Sequence, residues 1–189
     1  MANDPLLLPF EATFRGSNVT LRAWRDDDAP ALHEAIAMSR DHLRRWMRFI
    51  DEHQTAEETR AYIVRSRAKW LLREDMNLGI WSPDLLRLYG GIGVMARDWA
   101  VPAFELGYWL RADAAGHGYV TAAAGLLTGY LLGAHHAQRV QIRCDARNLR
   151  SAAVPRRLGY ALEGVLRQAE RARDGTLEDT MIFARTPSA

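Results

Sequence analysis

From Gly118 to Ala134 the chain runs for 17 residues without a charged side chain, and any fold it adopts must cover that segment. The run falls short of the roughly 20 apolar residues that cross a bilayer. Gly125, Gly129, Gly133, Thr121 and Thr128 dilute its apolar character further. Strand-like runs flank it on both sides, so it reads as a helix packed inside a soluble α/β fold, with no membrane partner. Its glycines, at four-residue spacing, read as a stripe that lets the helix approach a sheet closely.

The flanking segments supply that sheet. Asn18–Trp24 alternates like a strand, and Asp26-Asp27-Asp28 offers caps for a helix through Leu32 to Ile36. A second helical stretch is expected around His42 to Phe49 and a third from Thr55 to Leu72. Met76–Trp81 and Leu88–Met95 read as strands about the Ser82-Pro83-Asp84 turn, and Phe104–Arg111 as another. Past the uncharged helix, Arg139–Cys144 is a strand and Asn148–Leu158 a short helix closed by Gly159. Tyr160–Arg167 and Leu177–Ala184 form a hairpin about Asp174-Gly175. With neither a repeat nor a linker in 189 residues, one domain is expected, helices early and a mixed sheet following.

Composition removes several function classes. There are 25 basic and 23 acidic side chains, a net charge of +2 that points to no nucleic acid partner. Cys144 is the single cysteine, which excludes an internal disulfide and suits a reducing, cytoplasmic setting. Met1-Ala2-Asn3-Asp4-Pro5 puts no basic residue before Leu6-Leu7-Leu8 and does not read as a signal peptide.

Gly116-His117-Gly118-Tyr119-Val120-Thr121 joins the aromatic strand to the uncharged helix. Glycine there permits a tight turn and close approach of a ligand. The helix start adds unpaired N–H groups at the positive end of a dipole. These features suit a diphosphate, although a plain strand-to-helix turn has the same residues. The third glycine of a dinucleotide fingerprint is missing, Asp145 comes late for a ribose contact, and there is no Walker loop.

Order is more specific than any one motif. Phe104-Glu105-Leu106-Gly107-Tyr108-Trp109-Leu110 precedes the glycine turn, and a strand ending near Asp145 follows the helix. Then come Asn148-Leu149-Arg150-Ser151 and the run Leu158-Gly159-Tyr160 through Glu163-Gly164-Val165-Leu166-Arg167. This succession resembles the GNAT superfamily, and more narrowly the Rim-type N-terminal acetyltransferases of ribosomal proteins. Leu21-Arg22, Asp28-Ala29, His42 to Met47, Thr55-Ala56-Glu57-Glu58, Asp174-Gly175 and Asp179 resemble the narrower group too, so the likeness covers residues 15 to 185 or so. It implies a mixed, mostly antiparallel sheet of about seven strands flanked by helices. It also implies acetyl-coenzyme A as co-substrate, no metal and a primary amine as acceptor. A homodimer is compatible with it.

The same resemblance distributes roles. Tyr108, Trp109 and Leu110 would line the pantetheine arm, residues Gly116, His117, Gly118, Tyr119, Val120 and Thr121 the pyrophosphate, and Asn148 and Ser151 the arm near its sulfur. Ala115 stands where the superfamily usually has Arg or Gln, and Val120 where it has Gly or Ala; main-chain donors survive both changes. Many members protonate the leaving thiolate with a tyrosine seven residues after the asparagine, which here is Pro155. In the Rim-type group a serine three residues after the asparagine is thought to take over, and that position is Ser151.

Amine acetylation needs a neutral amine, a stabilised thioester oxygen and help for the departing thiolate. An α-amine titrates near ~8 and a lysine near ~10.4, so an N-terminus needs far less help. Glu105 is the candidate base on the resemblance, and a solvated strand glutamate on surface preference alone. The N–H near Leu110 would polarise the oxygen. Ser151 would donate to the sulfur, or cap the helix that follows. Asn148 would hold pantetheine amides, or only form a turn. Arg44 and Trp46 would border the acceptor's entry, with Trp109 a further candidate, while core packing remains open for both tryptophans. Cys144 reads as a buried, inert thiol, and His135-His136 lack metal-ligand spacing.

The expected function is direct transfer of acetyl from acetyl-coenzyme A to the N-terminal α-amine of a protein or peptide. A small amine, another short acyl group, or a non-catalytic coenzyme A sensor are the alternatives.

Overall fold

The computed structural model describes residues 4–187; residues 1–3, where the signal-peptide reading begins, and 188–189 lie outside it. Eight strands form one sheet: β1 (Thr13–Arg15), β2 (Thr20–Ala23), β3 (Asp75–Trp81), β4 (Leu88–Asp98), β5 (Ala103–Leu110), β6 (Arg139–Asp145), β7 (Ala161–Arg171) and β8 (Leu177–Arg185). Four helices accompany them: α1 (Ala29–Arg44), α2 (Ala56–Leu71), α3 (Tyr119–Ala134) and α4 (Leu149–Arg157). The order is β1-β2-β3-β4-β5-β6-β8-β7, antiparallel throughout except for β5 against β6. The strand beyond the expected seven is β1, three residues long and too short to show a pattern.

The sheet separates two cores by strand parity. Met76, Leu78, Ile80, Ile92, Val94, Phe104 and Leu106 point to one side, where Ala123, Ala124, Leu127 and Leu131 of α3 cover them. On the other side Trp81 and Leu88 pack with Ile36, Leu43 and Ile63 of α1 and α2. The odd positions of the central strands carry something different there, namely Asn77, Gly91, Gly93, Glu105 and Gly107. A core face has been given up for a cavity.

Two expectations need correction. No separate helix spans His42–Phe49: α1 continues to Arg44, and a short 3-10 turn, Arg48–Glu52, follows. Arg40 holds that turn by donating to Ile50 O (3.1 Å) and His53 O (2.7 Å). The glycine stripe of α3 does not meet the sheet. Gly125 packs on Leu158, whereas Gly129 and Gly133 face open space. The small residues that permit close packing are Ala123 and Ala124 instead.

The ends of the helices follow their sequences. Thr55 and Glu58 form a reciprocal capping box at α2. Asp28, at the cap position of α1, turns its carboxylate to Arg22 of β2 in a buried bidentate pair at 2.7 and 2.9 Å. Among the described residues no helix is long and apolar enough to cross a membrane.

Candidate active site

The site begins where the sheet fails. β5 and β6 pair from Ala103↔Arg139 to Leu106↔Ile142, and no further. Both strands continue, β5 to Leu110 and β6 to Asp145, the latter bonded only to β8. A wedge therefore opens between Gly107–Leu110 and Arg143–Asp145. Arg111 donates to Tyr89 O of β4 (2.8 Å). By alternation the N–H of Leu110 faces the opposite way, into the wedge.

Two cavities meet there, of about 530 and 1090 Å³. Trp46, Met47, Tyr108, Trp109, Asn148 and Ser151 line both. The larger continues to Gly116, Gly118, Tyr119, Val120 and Thr121, and the smaller contains Glu105.

Gly116 and Gly118 adopt left-handed φ angles of 87° and 77°. Gly118 occupies the cap position of α3 with no side chain to offer, and nothing lies within 4 Å of where a Cβ would stand on either glycine. The first bond closing α3 runs from Ala122 N–H to Gly118 O (2.9 Å). Among the described residues the N–H groups of 116–121 make no protein hydrogen bond, so a diphosphate fits this turn. His117 itself turns aside and stacks on Tyr119 at 5.4 Å, which in turn stacks on Tyr89 at 4.0 Å.

Glu105 is buried at 7% exposure, so it is not a solvated strand residue. It stands opposite Gln141 at the apex of the wedge. Its Oε2 accepts from Gln141 Nε2 (2.7 Å) and from Arg97 Nη2 (2.9 Å) and Nε (3.1 Å). Among the described residues Oε1 has no donor, which leaves it for the cavity. Sequence reasoning missed Arg97 and Gln141. Gln141 is directly across a parallel rung, which is visible only once the register is known.

Ser151 is not the helix cap. Asn148 is, with Oδ1 accepting from Ser151 N–H at 3.1 Å. Ser151 Oγ lies 3.3 Å from Tyr108 Oη, which donates to Ser151 O at 3.0 Å. Burial pushes the Tyr108 phenol well above its usual range, so it stays protonated. Ser151 Oγ donates to Tyr108 Oη, which leaves the serine hydroxyl as the donor that can turn into the wedge.

Cys144 also lines the smaller cavity and is half-buried rather than enclosed. Burial raises its thiol, with Ser151 opposing the shift. A protonated thiol is a poor nucleophile. Arg44 reaches neither cavity: its side chain approaches Asp51 (3.9 Å), and the neighbouring Arg45 lines the pocket. Trp46 and Trp109 do border it. His135 takes part in an aromatic cluster with Phe10 and Tyr130, and no group of three or more His, Cys, Asp or Glu among the described residues is arranged to hold a metal.

A model of the acetyltransferase (GNAT) domain matches residues 18–161. The chain belongs to the GNAT acetyltransferase family. Like the family, it is an enzyme that takes its acyl group from acetyl-coenzyme A. It is similar to YdaF of Bacillus subtilis (strain 168), provisionally named a ribosomal N-acetyltransferase, with 29% identity over 84% of this chain and 82% of that protein. It is also similar to the ribosomal-protein-serine acetyltransferase of Escherichia coli (strain K12), at 26% identity over 89% of this chain and 92% of the other. Among solved structures, the ribosomal L7/L12 α-N-protein acetyltransferase RimL, bound to coenzyme A, superposes with TM-score 0.86. Identity is 24%, covering 93% of this chain and 98% of that one. The microcin C7 self-immunity acetyltransferase MccE gives TM-score 0.85 at 24% identity, covering 91% and 94%.

Proposed function

We propose that this GNAT enzyme is one cytoplasmic acetyltransferase domain that acetylates the N-terminal α-amine of a protein or peptide by direct transfer. The observation that carries the reading is the meeting of two cavities at the wedge. The larger ends on the free N–H groups of residues 116–121, and the smaller presents Glu105. Acetyl-coenzyme A enters from one side and the amine from the other. The ribosomal-protein relatives support an N-terminal acceptor.

In this mechanism Glu105 Oε1 takes the proton of the attacking amine, directly or through one water. Arg97 and Gln141, both on Oε2, hold the carboxylate oriented for that acceptance. The N–H of Leu110 stabilises the oxygen as charge develops on it. Ser151 Oγ turns from Tyr108 Oη, to which it donates in this structure, to donate to the departing thiolate. The acetyl carbon forms its bond to nitrogen and loses its bond to sulfur, so no acyl-enzyme is needed.

The test is thiol release from acetyl-coenzyme A with a panel of peptides, polyamines and aminoacyl nucleotides, the products located by mass spectrometry. Acetylation of peptides at a small N-terminal residue is expected. Turnover confined to small amines would overturn the N-terminal assignment and favour a role like that of MccE, whose structure holds acetyl-CoA and AMP. Binding with no turnover on any acceptor would overturn the catalytic one.

A further inference from the structure

The floor of the acceptor cavity has a polar group that the transfer chemistry does not use. Register sets Asn77, Gly93 and Gly107 side by side on β3, β4 and β5, and places Asp75, Met95 and Glu105 in the next row. All six residues line the smaller cavity. A Cβ at Gly93 would collide with Asn77 Oδ1. The absence of a side chain on β4 is what lets the Asn77 amide lie across that strand toward β5.

Neighbouring strands are about 4.8 Å apart and successive same-face residues about 6.8 Å. An amide above Gly93 is therefore about 8 Å from Glu105, which stands one strand and one row away. That distance matches one hydrogen bond to an amine, the three covalent bonds from that amine to a nearby oxygen, and a second hydrogen bond. Among the described residues the Asn77 amide has no hydrogen-bond partner of its own.

Trp24 and Tyr62 line the same cavity, and burial pushes the Tyr62 phenol up to about 12, so it faces an acceptor as a neutral hydroxyl.

We propose that Asn77 is an acceptor-positioning residue, whose side-chain amide, turned to present Nδ2 rather than Oδ1, donates to an oxygen three bonds from the reacting amine and so selects α-amino acyl acceptors over alkylamines. An N-terminal residue has such an oxygen in its carbonyl, and a serine has another in its hydroxyl. A lysine side chain or a polyamine has only methylenes there.

The proposal rests on the amine-acetylation reading, and it is tested with Asn77→Leu, which keeps the volume and removes the hydrogen bonds. Asn77→Ala replaces it if the first variant does not fold. Peptides beginning with Ala and with Ser are compared with propylamine. A KM at least tenfold higher for both peptides is expected, with kcat nearly unchanged, propylamine within twofold and the KM for acetyl-coenzyme A unaltered. An effect on the Ser peptide alone would assign the hydroxyl rather than the carbonyl as the bound oxygen, within the same proposal. Equal losses on peptides and propylamine, or no loss, would overturn it.

Calorimetry with the acetylated peptide and the coenzyme A-loaded enzyme reads the same contact without turnover. Weaker peptide binding by the variant supports the role, and unchanged binding overturns it. If the wild type acetylates no amine, the functional reading fails, and the Asn77 contact is still decided by this measurement.

Discussion

Glu105 and Gln141 face each other across the last-but-one parallel rung before β5 and β6 part, with Gln141 Nε2 donating to Glu105 Oε2 at 2.7 Å. One carboxylate oxygen is thereby occupied at the apex of the wedge, and the other is left to the acceptor. The carboxylate's position is thus fixed by the sheet rather than by a loop. Preorganisation of that kind keeps a base aligned without an ordering cost at the moment of reaction.

Glu105→Gln keeps the shape and the donors around it but cannot accept the amine proton. General bases contribute roughly 10²–10⁴-fold, so kcat at neutral pH is expected to fall by about that factor. Coenzyme A affinity, measured by calorimetry, is expected to stay within twofold, because the phosphate turn lies in the other cavity. Unchanged turnover would remove Glu105 from its role.

Ser151 and Asn148 separate cleanly by experiment. The cap of α4 belongs to Asn148, so Asn148→Ala is expected to lose about 1 kcal/mol of stability in urea unfolding. Ser151→Ala leaves that cap intact. It is expected to lower kcat about tenfold or more while changing stability by less than about 0.5 kcal/mol. The reverse pattern would make Ser151 structural.

The phosphate turn depends on a left-handed backbone at Gly118. Gly118→Ala meets no steric neighbour, so its cost is the strain of a positive φ, about 1–2 kcal/mol. Relaxation of that strain would swing the N–H groups of the turn off the diphosphate. An increase of tenfold or more in the Kd for coenzyme A is expected, and unchanged affinity would mean that these amides do not hold the ligand.

How far the sequence showed all this depends on the range of the interaction. Periodicity revealed α3, the β5 and β6 segments and the Asn148–Gly159 unit, because local pattern decides each of them. It missed the extension of α1 to Arg44, since the turn after it is held by Arg40 reaching to Ile50 and His53. It chose Arg44 over Arg45 for the pocket because the exact end of a helix sets which side chain turns inward. It gave no sign of Asn77 in β3 or the glycines of β4 as site residues, because only the register puts Asn77 and Gly93 in one row with Gly107.

His53 sets an acid limit on stability. Burial first, then Arg40, lowers its pKa from 6.5 to about 4. Its Nδ1 lies 3.2 Å from Thr59 Oγ1, and Arg65, His33 and Glu58 are the other charged or titratable groups nearby. The folded protein rejects a proton that the unfolded chain accepts near 6.5. The contribution is therefore complete above pH 6.5, declines as the pH falls toward 4, and does not change further below that. The loss is at most about 3.5 kcal/mol, at about 1.4 kcal/mol per unit. Urea unfolding at pH 7 and pH 4.5 is expected to show a smaller drop for His53→Gln than for the wild type.

Arg173, at the tip of the β7–β8 hairpin, ties the two walls of the acceptor cavity together. Its guanidinium donates to the carbonyls of Arg44 (3.0 Å), Met47 (3.2 Å) and Arg48 (3.3 Å), and it pairs with Asp51. The hairpin wall includes Glu170 and Glu178, and the opposite wall Arg45, Trp46 and Met47. Arg173→Ala leaves the Glu105 cluster and the phosphate turn untouched while removing this side-chain tie between those walls. Amide exchange in residues 45–52 and 170–177 is expected to quicken about tenfold or more, which corresponds to loss of roughly 1.4 kcal/mol or more from four charge-assisted bonds. Acceptor KM is expected to rise while the KM for acetyl-coenzyme A holds. Exchange unchanged in both segments would show that the walls are held apart from Arg173, by the sheet and the α1 packing alone.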